Sequence, residues 1–289
     1  MNRLNDLAAP AKINLFLHVT GRRPDGYHLL QSVFLPIDWA DTLHLERRQD
    51  GQIHRHDLGP QLPPEDLCIR AARLLQQASG TSYGCDIHID KHVPWGAGLG
   101  GGSSDAATVL MGLNRLWGLH WSTDQLAHLG LQLGADVPFF IRGKPAWVEG
   151  IGEIIQAIDL PRELFETPIA ILKPPVAIPT PAIFSSPNLK RDTKHAIVAD
   201  FLAAPKRFGH NDLQAPAMEY SSEVTQALGI MQSRFGNSRM TGSGSAVFSW
   251  VEPNTPPIHS FRPSDVGFND SEWVGRLCRG LVQHPLLDC

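Results

Sequence analysis

No uninterrupted apolar stretch in the 289 residues is long enough to cross a bilayer, and the opening segment Met1 to Pro10 holds no apolar run of signal-peptide length. The expectation is a cytoplasmic protein with no membrane partner. Long basic runs are missing as well. Net charge is -4, and pairs such as Arg22-Arg23 and Arg47-Arg48 read as solvated surface. Nucleic acid is not an expected partner, because binding a phosphate backbone takes a concentrated basic face. Cysteine is scarce: the four thiols, Cys68, Cys85, Cys278 and Cys289, show neither CxxC nor metal-finger spacing, so reduced thiols are expected rather than disulfides or structural zinc. Low-complexity tracts and internal repeats are absent too.

What is present suits a globular chain. The composition is 42% hydrophobic and 19% charged, and the length allows two ordinary domains or one large one, with a core that needs no staples. Histidine is plentiful at 13 residues, and His54-Arg55-His56 alternates as strand neighbours do. With no carboxylate or cysteine set beside them, these read as surface histidines and not as metal ligands.

Ala11 to Val19 has a period of two, with Ile13, Leu15, Leu17 and Val19 on one side and Lys12 and Asn14 sharing the other, which predicts a strand. Gly21 to Gly26 is a turn by its Pro-Asp-Gly content. Leu29 to Leu35 and Asp41 to Leu45 return as strand, Leu67 to Gln77 has helical spacing behind Glu65-Asp66, and Cys85 to Asp90 alternates again. Ser122 with Gln125 forms a capping box that predicts a helix through Leu133. Strand is expected at Ala146 to Glu149 and at Ala246 to Trp250. The proline-dense Pro174 to Pro187 region reads as the connection into a second half, giving expected domains of 1–160 and 161–289 and an α/β (α+β) fold.

The richest segment is Val93 to Ala107, where glycines crowd the junction between a strand and a helix. Without Cβ atoms the main-chain amides can approach a ligand closely, and the following helix adds its N-terminal partial positive charge. Gly98 to Ser104 is thereby suited to an oligophosphate; the plainer alternative is a tight turn. Gly96, Gly98 and Gly101 also satisfy G-x-G-x-x-G, but the second strand ending in an acid that a dinucleotide fold needs is replaced by helix. The Walker pattern fails, since Gly143-Lys144 is followed by Pro145.

Taken together, Pro10 to Leu15, Gly26-Tyr27-His28, Gly96 to Ala107, Leu133 to Pro138 and Thr241-Gly242-Ser243-Gly244 resemble the GHMP kinases over residues 8 to 250 or so. Ala-Lys-Ile-Asn-Leu and Gly-Tyr-His point to the branch that acts on a cytidine diphosphate carrying a branched sugar alcohol. The resemblance implies a two-domain GHMP kinase fold with the site in the cleft between domains. It implies ATP-dependent phosphorylation of the tertiary 2-hydroxyl of 4-(cytidine 5'-diphospho)-2-C-methyl-D-erythritol, in the non-mevalonate isoprenoid route.

Carried over residue by residue, Asp136 is the general base and Lys12 its cationic partner. A helix cap is the plain alternative for Asp136, and an exposed strand lysine for Lys12. Lys91, Pro94, Gly96, Ala97, Gly98, Leu99, Gly100, Gly101, Gly102, Ser103 and Ser104 hold ATP, with Mg2+ alongside and Ser103 or Ser104 as its protein contact. His28 hydrogen-bonds the cytosine, Tyr27 and Phe184 stack on it, and Asn14 and Thr180 belong to the acceptor end. Asp66 and His92 depart from the family pattern, which has Asn and a second basic residue there. Thr241 to Gly244 contacts substrate phosphates, supports the first loop, or is a plain turn; Asn211-Asp212-Leu213 receives no role. Alternatives are another GHMP kinase, for homoserine, mevalonate or a sugar, a dehydrogenase, or a nucleotide binder without catalysis. The quaternary expectation is a monomer or homodimer.

Overall fold

The computed structural model describes residues 2–252 and 258–287, so Cys289 lies outside the described residues. Two long strands, β1 (Arg3–Arg22) and β2 (His28–Arg48), pair antiparallel and form the spine. The sequence suggested two separate strands for residues 29–45, but β2 runs through unbroken. Pro36 falls opposite Lys12, at a register shift between Pro10 and Lys12, and such an irregularity is where a strand tolerates a residue without an N–H.

Against β2 lie two more strands on the side away from β1. β3 (Ile53–Asp57) runs parallel to β4 (Gly84–Asp90), which pairs with Thr42 to Arg48 of β2. β5 (Ala146–Gly150) pairs with Leu30 to Phe34 of β2, and β6 (Ile154–Ala157) closes that edge. His54 and His56 sit on β3, exposed as expected. A second sheet, all antiparallel, has β7 (Ile169–Lys173) between β9 (Val247–Trp250) and β10 (Val274–Cys278), with β8 (Arg239–Met240) beyond β9.

Helix α1 (Leu67–Ser79) starts at Asp66, whose side chain accepts from the Ile69 amide, and stops at Gly80 in the left-handed conformation. α2 (Gly101–Leu116) lies beside it on the first sheet, burying Ala106, Val109, Leu110 and Leu113 against Leu43, Leu45 and Ile87. Each such Leu or Val contributes about 1.5–3 kcal/mol on leaving water. α3 (Thr123–Gly130) carries both bonds of the predicted capping box but ends at Gly130, short of Leu133. The short α4 (Val137–Arg142) follows Asp136.

β1 is not the half-exposed strand its alternation suggested. From Leu7 to Val19 nearly every residue is buried, because one face packs on the first sheet's helices and the other on the second sheet. Ile13, Leu15 and Phe16 share one core with Ile169, Ile171, Phe248 and Trp250. A strand buried on both faces carries few tolerable polar side chains, and those it does carry need partners inside the protein.

Candidate active site

Between β4 and α2 the chain turns through the glycine-rich loop. Gly98 has φ +74, and a Cβ there would lie 2.2 Å from the Thr241 carbonyl oxygen, so only glycine lets this backbone touch the second glycine-rich turn. Two backbone bonds join the turns: the Ser245 amide donates to the Gly96 carbonyl at 3.1 Å and the Ala246 amide to the Ala97 carbonyl at 3.1 Å. A third, from the Lys12 amide to the Leu99 carbonyl at 2.9 Å, ties the loop to β1. The Thr241 to Gly244 turn and the residues just after it thus support the first loop, and Gly242, Ser243 and Gly244 also line the cleft. Gly100 stands at the N-cap of α2 and offers no side-chain cap, so the first amides of this 16-residue helix are left to an anion.

Asn211-Asp212-Leu213 braces the same corner. The Asn211 amide group donates to the carbonyls of Met240 and Gly242, each at 2.8 Å, and Asp212 accepts from the Val19 amide at 2.7 Å.

Lys91 lines the cleft, yet its ammonium is bonded to Asp41 and, at 2.6 Å, to Asp105. Burial works against that charge, but the two carboxylates hold the Lys91 pKa above its ordinary value. Burial pushes the Asp105 carboxyl well up, against the pull of Lys91. Asp41 also accepts from the amides of His92 (2.6 Å) and Val93 (2.8 Å). Lys91 thus fastens the strand end to α2 while still lining the cleft where the nucleotide is expected. Ser103 lines the cleft, whereas Ser104, about 100° further round the helix, is fully buried and outside the lining.

Lys12 is only 3% exposed, which removes the reading of a surface strand lysine. Its Nζ donates to Asn14 Oδ1 at 2.6 Å, lies 3.7 Å from Asp136 Oδ2, and sits 4.6 Å from the centre of the Phe34 ring. Burial pulls its pKa down and the charge of Asp136 offsets this in part. Asn14 is itself held, donating to Ser32 Oγ at 2.9 Å, while its backbone amide donates to Thr241 Oγ1 at 2.9 Å. Asp136 occupies the N-cap position of α4 but makes no side-chain capping bond, so its carboxylate, with the side chain 31% exposed, is left to face Lys12 and the cleft.

At the far end, Thr180 and Phe184 come from a short helix, Thr180–Ser185, and both line the cleft. Thr180 Oγ1 and Ser243 Oγ are 2.8 Å apart. Tyr27 and His28 are outside the lining. Tyr27 projects 61% exposed from the turn closed by the Arg23 amide and the Tyr27 carbonyl at 2.7 Å. The ring stacked on Phe184 is His28, at 5.0 Å between centroids and 27° between planes. Sequence reasoning missed Asp41, Asp105, Ser32 and Arg191, and also Trp95, which lines the cleft beside the loop at 52% exposure.

The cleft has a volume of about 550 Å³ and runs from Asp66 and Trp95, past the glycine loop, Lys12 and Asp136, to Phe184. Among the described residues no group of three or more His, Cys, Asp or Glu side chains is placed to hold a metal ion, and no helix is long and apolar enough to cross a membrane.

Residues 66–144 match the family profile of the GHMP kinases N terminal domain, and residues 196–257 that of the GHMP kinases C terminal. The chain is 62% identical over 286 residues to the 4-diphosphocytidyl-2-C-methyl-D-erythritol kinase of Methylibium petroleiphilum, covering 99% of this chain and 98% of that one. It is 50% identical to the enzyme of the same description from Paracidovorax citrulli, over 99% and 97% of the two chains. A crystal structure of 4-(cytidine 5'-diphospho)-2C-methyl-D-erythritol kinase superposes with a TM-score of 0.74 at 33% identity, over 96% of this chain and all of that one. The Methanococcus jannaschii mevalonate kinase shares the fold at 14% identity and a TM-score of 0.66, over 96% and 98%. With the glycine loop, the β1 lysine and the aspartate before α4 gathered on one cleft, the chain belongs to the GHMP kinases, in the family of the 4-diphosphocytidyl-2-C-methyl-D-erythritol kinases.

Proposed function

We propose that this chain moves the γ-phosphoryl group of ATP onto the 2-hydroxyl of 4-(cytidine 5'-diphospho)-2-C-methyl-D-erythritol, in the non-mevalonate supply of isoprenoid precursors, with Asp136 and Lys12 at the reacting centre. The observation that carries the roles is the Lys12–Asp136 pair, 3.7 Å apart beside the glycine loop. The hydroxyl oxygen attacks the γ-phosphorus, the bond to the departing ADP breaks, and Asp136 takes the hydroxyl proton as transfer proceeds. Lys12, held by Asn14, offsets negative charge near the acceptor oxygen. The loop amides and the α2 N-terminus hold the phosphates, and the acceptor lies between the halves with its base toward Phe184 and His28.

A divalent cation would arrive with the nucleotide: among the described residues no carboxylate cluster is placed to hold one, Asp41 and Asp105 are taken up by Lys91, and Ser103 offers a hydroxyl toward the cleft. The Ser103 hydroxyl would stand beside magnesium carried by the ATP phosphates, and that ion would neutralise charge on the phosphoryl group. A cytoplasmic setting agrees with the unpaired state of Cys68, Cys85 and Cys278.

A coupled ADP-release assay over a panel of alcohols tests the substrate. ADP is expected with the cytidine diphosphate substrate and not with homoserine, mevalonate or galactose; turnover of one of those three in its place overturns the reading.

A further inference from the structure

Arg191 ties His28, outside the cleft lining, to Phe184, which lines the cleft. Its Nε donates to His28 Nε2 at 3.0 Å, while Nη2 donates to the carbonyls of Phe184 (3.0 Å) and Ser186 (2.8 Å) and Nη1 to that of Leu189 (2.9 Å). One guanidinium therefore holds both members of the stacked His28–Phe184 pair. A guanidinium has N–H donors and no acceptor, and it keeps its charge at any pH a protein survives. The nitrogen of His28 that receives its bond has to be a lone pair. In a neutral imidazole the proton then resides on the other nitrogen, since the bond made by one ring atom sets the state of its partner. Nδ1 of His28 makes no hydrogen bond to any described residue, so that proton is available to a ligand.

Cytosine and uracil differ at this kind of contact. Cytosine presents N3 as an acceptor between O2 and its amino group, whereas uracil presents N3–H as a donor. A fixed Nδ1–H matches the first and opposes the second. A histidine free to exchange tautomers could serve both. We propose that Arg191 is the positioning residue that locks His28 as an Nδ1–H donor, and that this lock makes the kinase select a cytosine-bearing acceptor over its uracil counterpart. The inference rests on the reading of His28 as the residue that meets the base. Burial first, then the charges of Arg191 and Arg22, also lower the His28 pKa and keep the ring neutral.

The test uses the full chain and two acceptors, the cytidine diphosphate substrate and its uridine analogue, with ATP and magnesium. Wild-type enzyme is expected to favour the cytidine compound in kcat/KM by roughly tenfold to a hundredfold, the scale of leaving a buried donor opposed. Arg191→Met is expected to erase most of that ratio, chiefly through KM, and Arg191→Lys to restore part of it. Nitrogen NMR, with His28 assigned by difference from His28→Gln, is expected to show Nδ1–H in the wild type and a mixture in Arg191→Met. Because the ratio compares two acceptors on one folded sample, the carbonyl bonds lost with the arginine cancel. Should Arg191→Met fail to fold, the wild-type spectrum still decides: a proton on Nε2 overturns the proposal, as does an unchanged ratio in a folded variant. If His28→Ala leaves KM for the cytidine substrate unchanged, the base-binding reading falls and this inference with it. If His28→Ala raises KM while Arg191→Met keeps the ratio, only the lock is wrong.

Discussion

The ammonium nitrogen of Lys12 stands 3.7 Å from a carboxylate oxygen of Asp136 although the two residues belong to different layers, one on the buried spine strand and the other ahead of α4. Asn14 fixes the amine from the opposite side at 2.6 Å. Among the described residues the lysine makes no second ion pair, and Asp136 makes no side-chain capping bond.

Asp136→Asn is expected to leave ATP affinity near normal and to lower kcat at least about a hundredfold, the scale of a positioned base. Nucleotide titration alongside steady-state kinetics checks this. Unchanged turnover would remove Asp136 from the chemistry.

Alkaline pH should silence the enzyme before it unfolds it. The Lys12 pKa lies below its ordinary 10.5 because of burial, so the folded protein loses this proton at a lower pH than the unfolded chain does. Through that window the unfolded chain binds more protons, and deprotonation adds to stability. The rate falls over the same window as the cation disappears. A pH–rate profile run beside thermal melts should therefore show decline without unfolding, with its midpoint under the normal lysine range; a rate that holds steady up to that range would contradict it.

Gly98→Ala should damage the fold as well as the site. Positive φ costs a non-glycine residue about 1–2 kcal/mol, and the new methyl would sit 2.2 Å from the Thr241 oxygen. Gly102→Ala is the control, since its nearest neighbour would be Leu67 Cδ1 at 3.6 Å. Denaturant titration should separate the two variants, with Gly102→Ala close to wild type in stability.

Lys91→Met leaves Asp41 and Asp105 buried without their cation. Breaking a buried pair in this way costs about 3–5 kcal/mol. A chemical unfolding curve showing wild-type stability would mean that the lysine serves the nucleotide alone.

Much of the local structure could be read from neighbouring residues. The capping box at Ser122 and Gln125, the turn before His28 and the glycine corner each announce themselves within a few positions, because the forces that form them act over a few positions. The continuity of β2 through Pro36 was hidden, since only the partner strand's slip accommodates that proline. Burial of Lys12 was hidden for a similar reason: alternation marks two faces, but not whether a second layer covers the polar one. The cluster of Asp41, Lys91 and Asp105 joins residues 50 and 14 positions apart and leaves no periodic trace. Arg191, separated from His28 by 163 positions, showed no local signal.

The paired carbonyl and amide groups that join Gly96 to Ser245 and Ala97 to Ala246 act like teeth of a zip. Such a seam reads spacing, so side chains along either turn that make no bond of their own can be swapped wherever the glycines stay, while the buried Thr241 and Ser245, bonded to Asn14 and Val176, cannot. Inserting or removing a single residue would throw both teeth out of step and move the main-chain nitrogens off the phosphates. Length is the property this corner cannot vary, and loop grafts from other kinases should succeed only when they match it residue for residue.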